Sequence, residues 1–128
     1  MNRNFKPDNY PSVSPYLVVD GADATIQFLI KTFEATEIRR FANEHGGIMH
    51  AEIRLDDSVL MVADRLPSWP ARPASVHIYV EDVDDVYQRA LANGGESVQA
   101  PVQKGDDDKR SGVKDSGGTT WWIATKVA

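Results

Sequence analysis

The chain has 128 residues, no cysteine and a formal net charge of −5. A disulfide framework, a thiolate metal site and a thiol nucleophile are therefore excluded, and no lysine- or arginine-rich stretch offers the basic face that a nucleic-acid partner needs. The apolar fraction of 41% suffices for the core of one domain, and no run approaches the length of a membrane span.

Met1 to Pro11 is polar, without the apolar centre of a secretory signal, so a cytoplasmic location is expected. Ser12 to Val19 reads as a strand. Asp20-Gly21 then opens a helix whose apolar positions Ala22, Ile26, Leu29, Ile30 and Phe33 share one face. Three short strands follow at Thr36 to Ala42, Ile48 to Leu55 and Ser58 to Ala63, parted by turns at Glu44 to Gly47 and at Asp56-Asp57. The last of the three is a continuous apolar run, which suggests burial on both sides. Pro67, Pro70 and Pro73 make 65–74 a linker.

The second half repeats the first. Ser75 to Val80 is a strand, and Val83, Val86, Tyr87, Ala90 and Leu91 form a helix face stopped by Asn93-Gly94-Gly95. Strands follow at Ser97 to Gln103, Arg110 to Lys114 and Thr119 to Lys126. A shift of 61 residues lays Tyr16–Asp23 over His77–Asp84, and Ser58–Ala63 over Thr119–Ala124. A repeat of this kind sets the whole architecture. The expected fold is α+β: one domain, 1–128, of two tandem βαβββ units, about 12–64 and 75–127. Together they form an open, cup-shaped mixed sheet with helices on the convex side.

Strand alternation assigns faces. Ser14, Tyr16 and Val18 share one face of the first strand; Ser75, His77 and Tyr79 share one face of the fifth. Trp121 and Trp122 must point to opposite sides, and the repeat pairs Trp122 with Met61 on the cup side. A cup lined by Tyr16, Met61, His77, Tyr79 and Trp122, with Trp69 at its rim, suits a flat aromatic ligand held by stacking and oriented by a few polar tips. The competing reading is that these aromatics fill the core.

Other candidates are weaker. His50 and Glu52 share a strand face, and with His77 they make a conceivable displaced metal site; polar sheet residues bonded to neighbours are the alternative. His45 lies in a turn. Ser14 and Ser75 lack a His/Asp arrangement that would activate them, so no catalytic residue is assigned. Asp106-Asp107-Asp108 lacks the spacing of a calcium loop.

The segments Tyr16-Leu17-Val18-Val19-Asp20-Gly21, His50-Ala51-Glu52, His77-Ile78-Tyr79-Val80-Glu81-Asp82-Val83-Asp84 and Asp115-Ser116-Gly117-Gly118 before Trp121-Trp122-Ile123-Ala124-Thr125 resemble the vicinal oxygen chelate superfamily. That family contains glyoxalase I, extradiol dioxygenases, fosfomycin-resistance enzymes and bleomycin-resistance proteins. Its metal-dependent members carry four ligands, near the start of each unit's first strand and within each last strand. Those positions fall here on Ser14, Met61, Ser75 and Trp122, none suited to a divalent cation in a nitrogen/oxygen site. A slip of one residue gives Leu60 and Trp121, no better. The resemblance is thus to metal-free, ligand-sequestering members. It implies a homodimer whose cups bind a small aromatic antibiotic or similar ligand, conferring drug resistance by binding, with no cofactor, membrane or nucleic-acid partner. A glyoxalase-like lyase, isomerase or transferase with a non-standard site is the alternative, and a structural module without ligand a third reading.

Overall fold

The computed structural model describes residues 4–128; residues 1–3 of the polar N-terminal stretch lie outside the described residues. The first unit comprises β1 (Tyr16–Val19), α1 (Ala22–Phe33), β2 (Thr36–Ala42), β3 (Ile48–Leu55) and β4 (Ser58–Asp64). The second comprises β5 (Ala74–Tyr79), α2 (Val83–Ala92), β6 (Glu96–Gln103), β7 (Asp108–Lys114) and β8 (Thr119–Lys126). Each unit forms a four-stranded sheet, ordered β1-β4-β3-β2 and β5-β8-β7-β6. In both, the first strand lies parallel to the last and the other pairings are antiparallel.

The register reproduces the 61-residue repeat. Tyr16 lies beside Met61 and His77 beside Trp122. One residue separates the units at their last hairpins: Asp56-Asp57 joins β3 to β4, whereas Ser116-Gly117-Gly118 joins β7 to β8. Glu52 and Gly112 are therefore equivalent, each beside the last-strand residue Met61 or Trp122.

The helices form as their apolar periodicity requires. Ala22, Ile26 and Leu29 of α1 and Val83, Val86, Tyr87 and Ala90 of α2 are buried. Gly94, just beyond α2, has φ +92°, the left-handed conformation that closes a helix and that glycine takes without steric cost. Asp64, ending β4, accepts from Ala22 N and Ile48 N, both at 2.7 Å, and so ties the start of α1 to the start of β3. Asp115 accepts from Gly117 N and Thr119 N and from the buried Trp121 indole N–H at 2.9 Å.

Each helix covers one face of its own sheet, and the two helices pack together. Arg89 Nε of α2 donates to Thr32 O of α1 at 2.9 Å, and Phe33 packs on Trp121 at 5.4 Å between centroids. A single apolar core thus runs through both units, containing Leu17, Ile26, Ile53, Val62, Trp121 and Ile123. The helices leave the opposite face of each sheet uncovered.

Two strand starts differ from expectation by two residues or more. The first strand starts at Tyr16 and not at Ser12, because Pro15 and Pro11 have no N–H for a ladder. The seventh starts at Asp108, whose N–H is held by Asp106 Oδ1 at 3.0 Å. Pro101 falls inside β6, tolerated because β6 is an edge strand with an irregular register around it. The proline-rich linker is bonded to β1: Arg65 N extends the β4 side of the ladder to Val19 O at 2.9 Å, and Arg72 N donates to Val18 O on the free edge at 3.1 Å.

Candidate functional site

On the open face of the first unit, alternation and pairing place Tyr16 of β1, Met61 of β4, His50 and Glu52 of β3, and Arg39 and Phe41 of β2 together. The hub is Glu52, 8% exposed. One carboxylate oxygen receives His50 Nε2 at 2.9 Å; the other receives the Tyr10 hydroxyl at 2.5 Å and lies 3.2 Å from Arg39 Nε. Burial alone would raise the Glu52 pKa. Hydrogen bonds from Tyr10 and His50 and the charge of Arg39 outweigh it and hold the carboxyl below its usual range. An ionised carboxylate only accepts, so His50 carries its proton on Nε2. In the neutral imidazole, Nδ1 then accepts from the Tyr16 hydroxyl, 3.0 Å away. Tyr16 also packs against Trp69 of the linker at 5.3 Å, over a cavity of about 340 Å³ bounded by Val18, Pro70 and Arg72.

On the open face of the second unit the hub is Arg110 of β7. Its guanidinium donates to Asp108 at 2.9 Å, to Asp106 at 3.2 Å and to His77 Nε2 at 3.1 Å. Since guanidinium cannot accept, His77 presents an unprotonated Nε2. Burial, then repulsion from Arg110, push the His77 pKa down. Tyr79 donates to Asp108 at 2.6 Å and packs edge-on against His77 at 4.9 Å. The Trp122 ring lies over Gly112, where a Cβ would come within 2.6 Å of it. That close approach is why this position of β7 has no side chain.

A family model described as Glyoxalase/Bleomycin resistance protein/Dioxygenase superfamily matches residues 12–123. The chain belongs to this superfamily. An uncharacterized protein of Mycobacterium bovis is 33% identical over 91% of this chain and 84% of its own length. Among solved structures, a Pseudomonas aeruginosa protein superposes with a TM-score of 0.74 at 19% identity, covering 91% of this chain and 98% of that one. TioX from Micromonospora sp. ML1 gives 0.70 at 20% identity, over 90% and 99%. TnmS3, an antibiotic binding protein from Streptomyces sp. CB03234, gives 0.68 at 15% identity, over 91% and 99%. At these identities the structures share the fold.

The donor set at the superfamily's metal positions does not fit a divalent cation. Met61 and Trp122 supply a thioether and an indole, and Ser14 and Ser75 supply neutral hydroxyls. Ser14 and Met61 line one small cavity with Glu52, but Glu52 is already shared by Tyr10, Arg39 and His50. Of the displaced set, His50 and Glu52 meet, whereas His77 lies on the other sheet against Arg110. Among the described residues, no group of three or more His, Cys, Asp or Glu side chains is placed to hold a metal.

The six aromatic-cup residues divide by unit. Tyr16, Met61 and Trp69 lie with the first sheet; His77, Tyr79 and Trp122 lie with the second. Tyr16 and Met61 are the repeat equivalents of His77 and Trp122. Tyr16, Trp69 and Tyr79 are exposed, whereas Trp121 is fully buried among the core residues. Sequence reasoning missed Tyr10, Arg39, Phe41, Asp108 and Arg110. Cross-strand parity carries some signal for the strand residues; nothing in the polar N-terminal stretch marks Tyr10.

Proposed function

We propose that this protein binds and sequesters small planar aromatic molecules, antibiotics among them, without chemically altering them. The observation that carries this reading is the uncovered aromatic surface on both open faces: Tyr16, Phe41, Trp69 and Tyr79 are 42%, 46%, 45% and 61% exposed. Apolar and aromatic groups with polar tips at hand are the composition of a stacking site. The unsuited donors at the metal positions support the same reading, as does the shared fold with an antibiotic binding protein. A homodimer fits as the working form, the first unit's face of one copy meeting the second unit's face of its partner to close a cup. A cytoplasmic location is part of the proposal; no helix among the described residues is long and apolar enough to cross a membrane.

The test is a tryptophan-fluorescence titration of EDTA-treated protein with planar aromatic antibiotics. Saturable quenching that disappears in Trp122→Ala is expected. A flat response across the panel in folded protein would overturn the proposal.

The Tyr16–His50–Glu52 hydrogen-bond chain favours a second reading, an enzyme of the glyoxalase, isomerase or transferase type. Such a chain can move a proton along an open face. Turnover of a hemithioacetal or an electrophilic antibiotic, abolished in His50→Ala, would establish it.

A further inference from the structure

Residues 7–12 have no regular secondary structure, yet they lie against the open face of the first unit. Few bonds hold them. The Tyr10 hydroxyl donates to Glu52 Oε1, Arg54 Nη1 donates to Asn9 O at 3.0 Å, and Tyr10 N closes a turn onto Pro7 O at 3.3 Å. Beside Tyr10 a cavity of about 280 Å³ opens, bounded by Pro7, Arg39, Glu52 and Met61. The receiving carboxylate does not depend on Tyr10 for its position, since His50 holds its other oxygen and Arg39 flanks the first.

We propose that this site takes a phenolic compound, whose hydroxyl donates to Glu52 in the place of Tyr10, and that Tyr10 is a tethered occupant competing with it. This rests on the reading that the first unit's open face binds ligands. The chemistry selects the class. An ionised carboxylate needs a donor, which excludes ethers and ketones. Arg39 beside it disfavours a cationic donor, and Glu52 itself repels an anionic ligand. A neutral hydroxyl on a ring satisfies both, the ring entering the cavity that Tyr10, Pro7 and Met61 line. The carboxylate pushes the pKa of the Tyr10 hydroxyl up, which keeps the present occupant a donor. Because the tether holds Tyr10 at a high local concentration, removing its ring should raise the affinity for a free phenol.

The experiment is equilibrium dialysis of the full chain with p-cresol, the side chain of tyrosine as a free molecule, and with 4-methylanisole, which has the same ring but no donor. Tyr10→Ala should bind p-cresol about tenfold or more tighter than the unaltered protein and should prefer it to 4-methylanisole. Adding Glu52→Leu, which has no acceptor, should remove that preference. Arg54→Ala, which releases Asn9 and leaves the carboxylate untouched, should shift p-cresol affinity in the same direction as Tyr10→Ala. Equal p-cresol binding by the unaltered protein, Tyr10→Ala and Arg54→Ala, or no discrimination against the ether in Tyr10→Ala, would overturn the inference. Acridine, planar and without a hydroxyl, separates the two levels. Acridine binding without phenol preference sinks this inference alone; no binding of either compound to folded protein sinks the proposed function as well.

Discussion

On the open face of the first unit a carboxylate is the hub; on that of the second unit a guanidinium is. Glu52 gathers Tyr10, Arg39 and His50, while Arg110 gathers His77, Asp106 and Asp108. The backbone positions are repeat-related, with Tyr16 and Met61 on one face matched by His77 and Trp122 on the other. At the position where the first unit has Glu52, the second has Gly112, and Trp122 fills the gap. One scaffold thus gives a face centred on a carboxylate and crossed by residues 7–12, and a face centred on a guanidinium, each with exposed aromatic rings. The difference teaches that the repeat fixes where side chains point, while the residue types decide what each face can hold.

The comparison can be broken by substitution. Gly112→Val should have the largest effect, about 3 kcal/mol, because the added methyls collide with the Trp122 ring and the strand beneath it is fixed. Denaturant midpoints measure the loss, and the Trp122 emission should shift with it. Glu52→Ala should cost about 2 kcal/mol, since it leaves three donors without an acceptor. Hydrogen exchange should then rise in residues 7–12 and stay unchanged in β7. Tyr16→Phe should cost about 1 kcal/mol, the net worth of one hydrogen bond to His50.

The smallest effect concerns acidity. His77 has a depressed pKa in the folded protein, so below the ordinary histidine range the unfolded chain binds a proton that the folded chain refuses. Stability therefore declines as pH falls below that range and levels off below the depressed value. In Arg110→Met the His77 titration, followed by NMR of the imidazole, should move upward. It should not return fully to the ordinary value, because burial is the larger cause. An unchanged titration would remove Arg110 from the account of that face.

Much of this was legible in the sequence where the signal is periodic. The helix faces, the 61-residue offset and the opposed directions of Trp121 and Trp122 follow from periods of 3.6 and 2. The apolar pattern from Ser12 does not mark the start of the first strand, because Pro15 interrupts the ladder there. Arg39 was hidden by an irregularity in β2: Glu37 pairs with core-facing Ile53, but Arg39 pairs with open-face Glu52, so alternation breaks between them. Tyr10 could not be read, because it docks across 42 residues of chain from a stretch with no period. The separation of His77 from His50 and Glu52 depends on how the two sheets are disposed, which strand parity within one sheet does not report.

The most direct test of the account is chemical-shift mapping of the protein saturated with a planar aromatic antibiotic. The account predicts perturbations at Tyr16, Met61 and Trp69 and also at His77, Tyr79 and Trp122, with the Trp121 indole unmoved. Shifts confined to the buried core around Phe33 and Trp121, or to the helix surfaces, would contradict it.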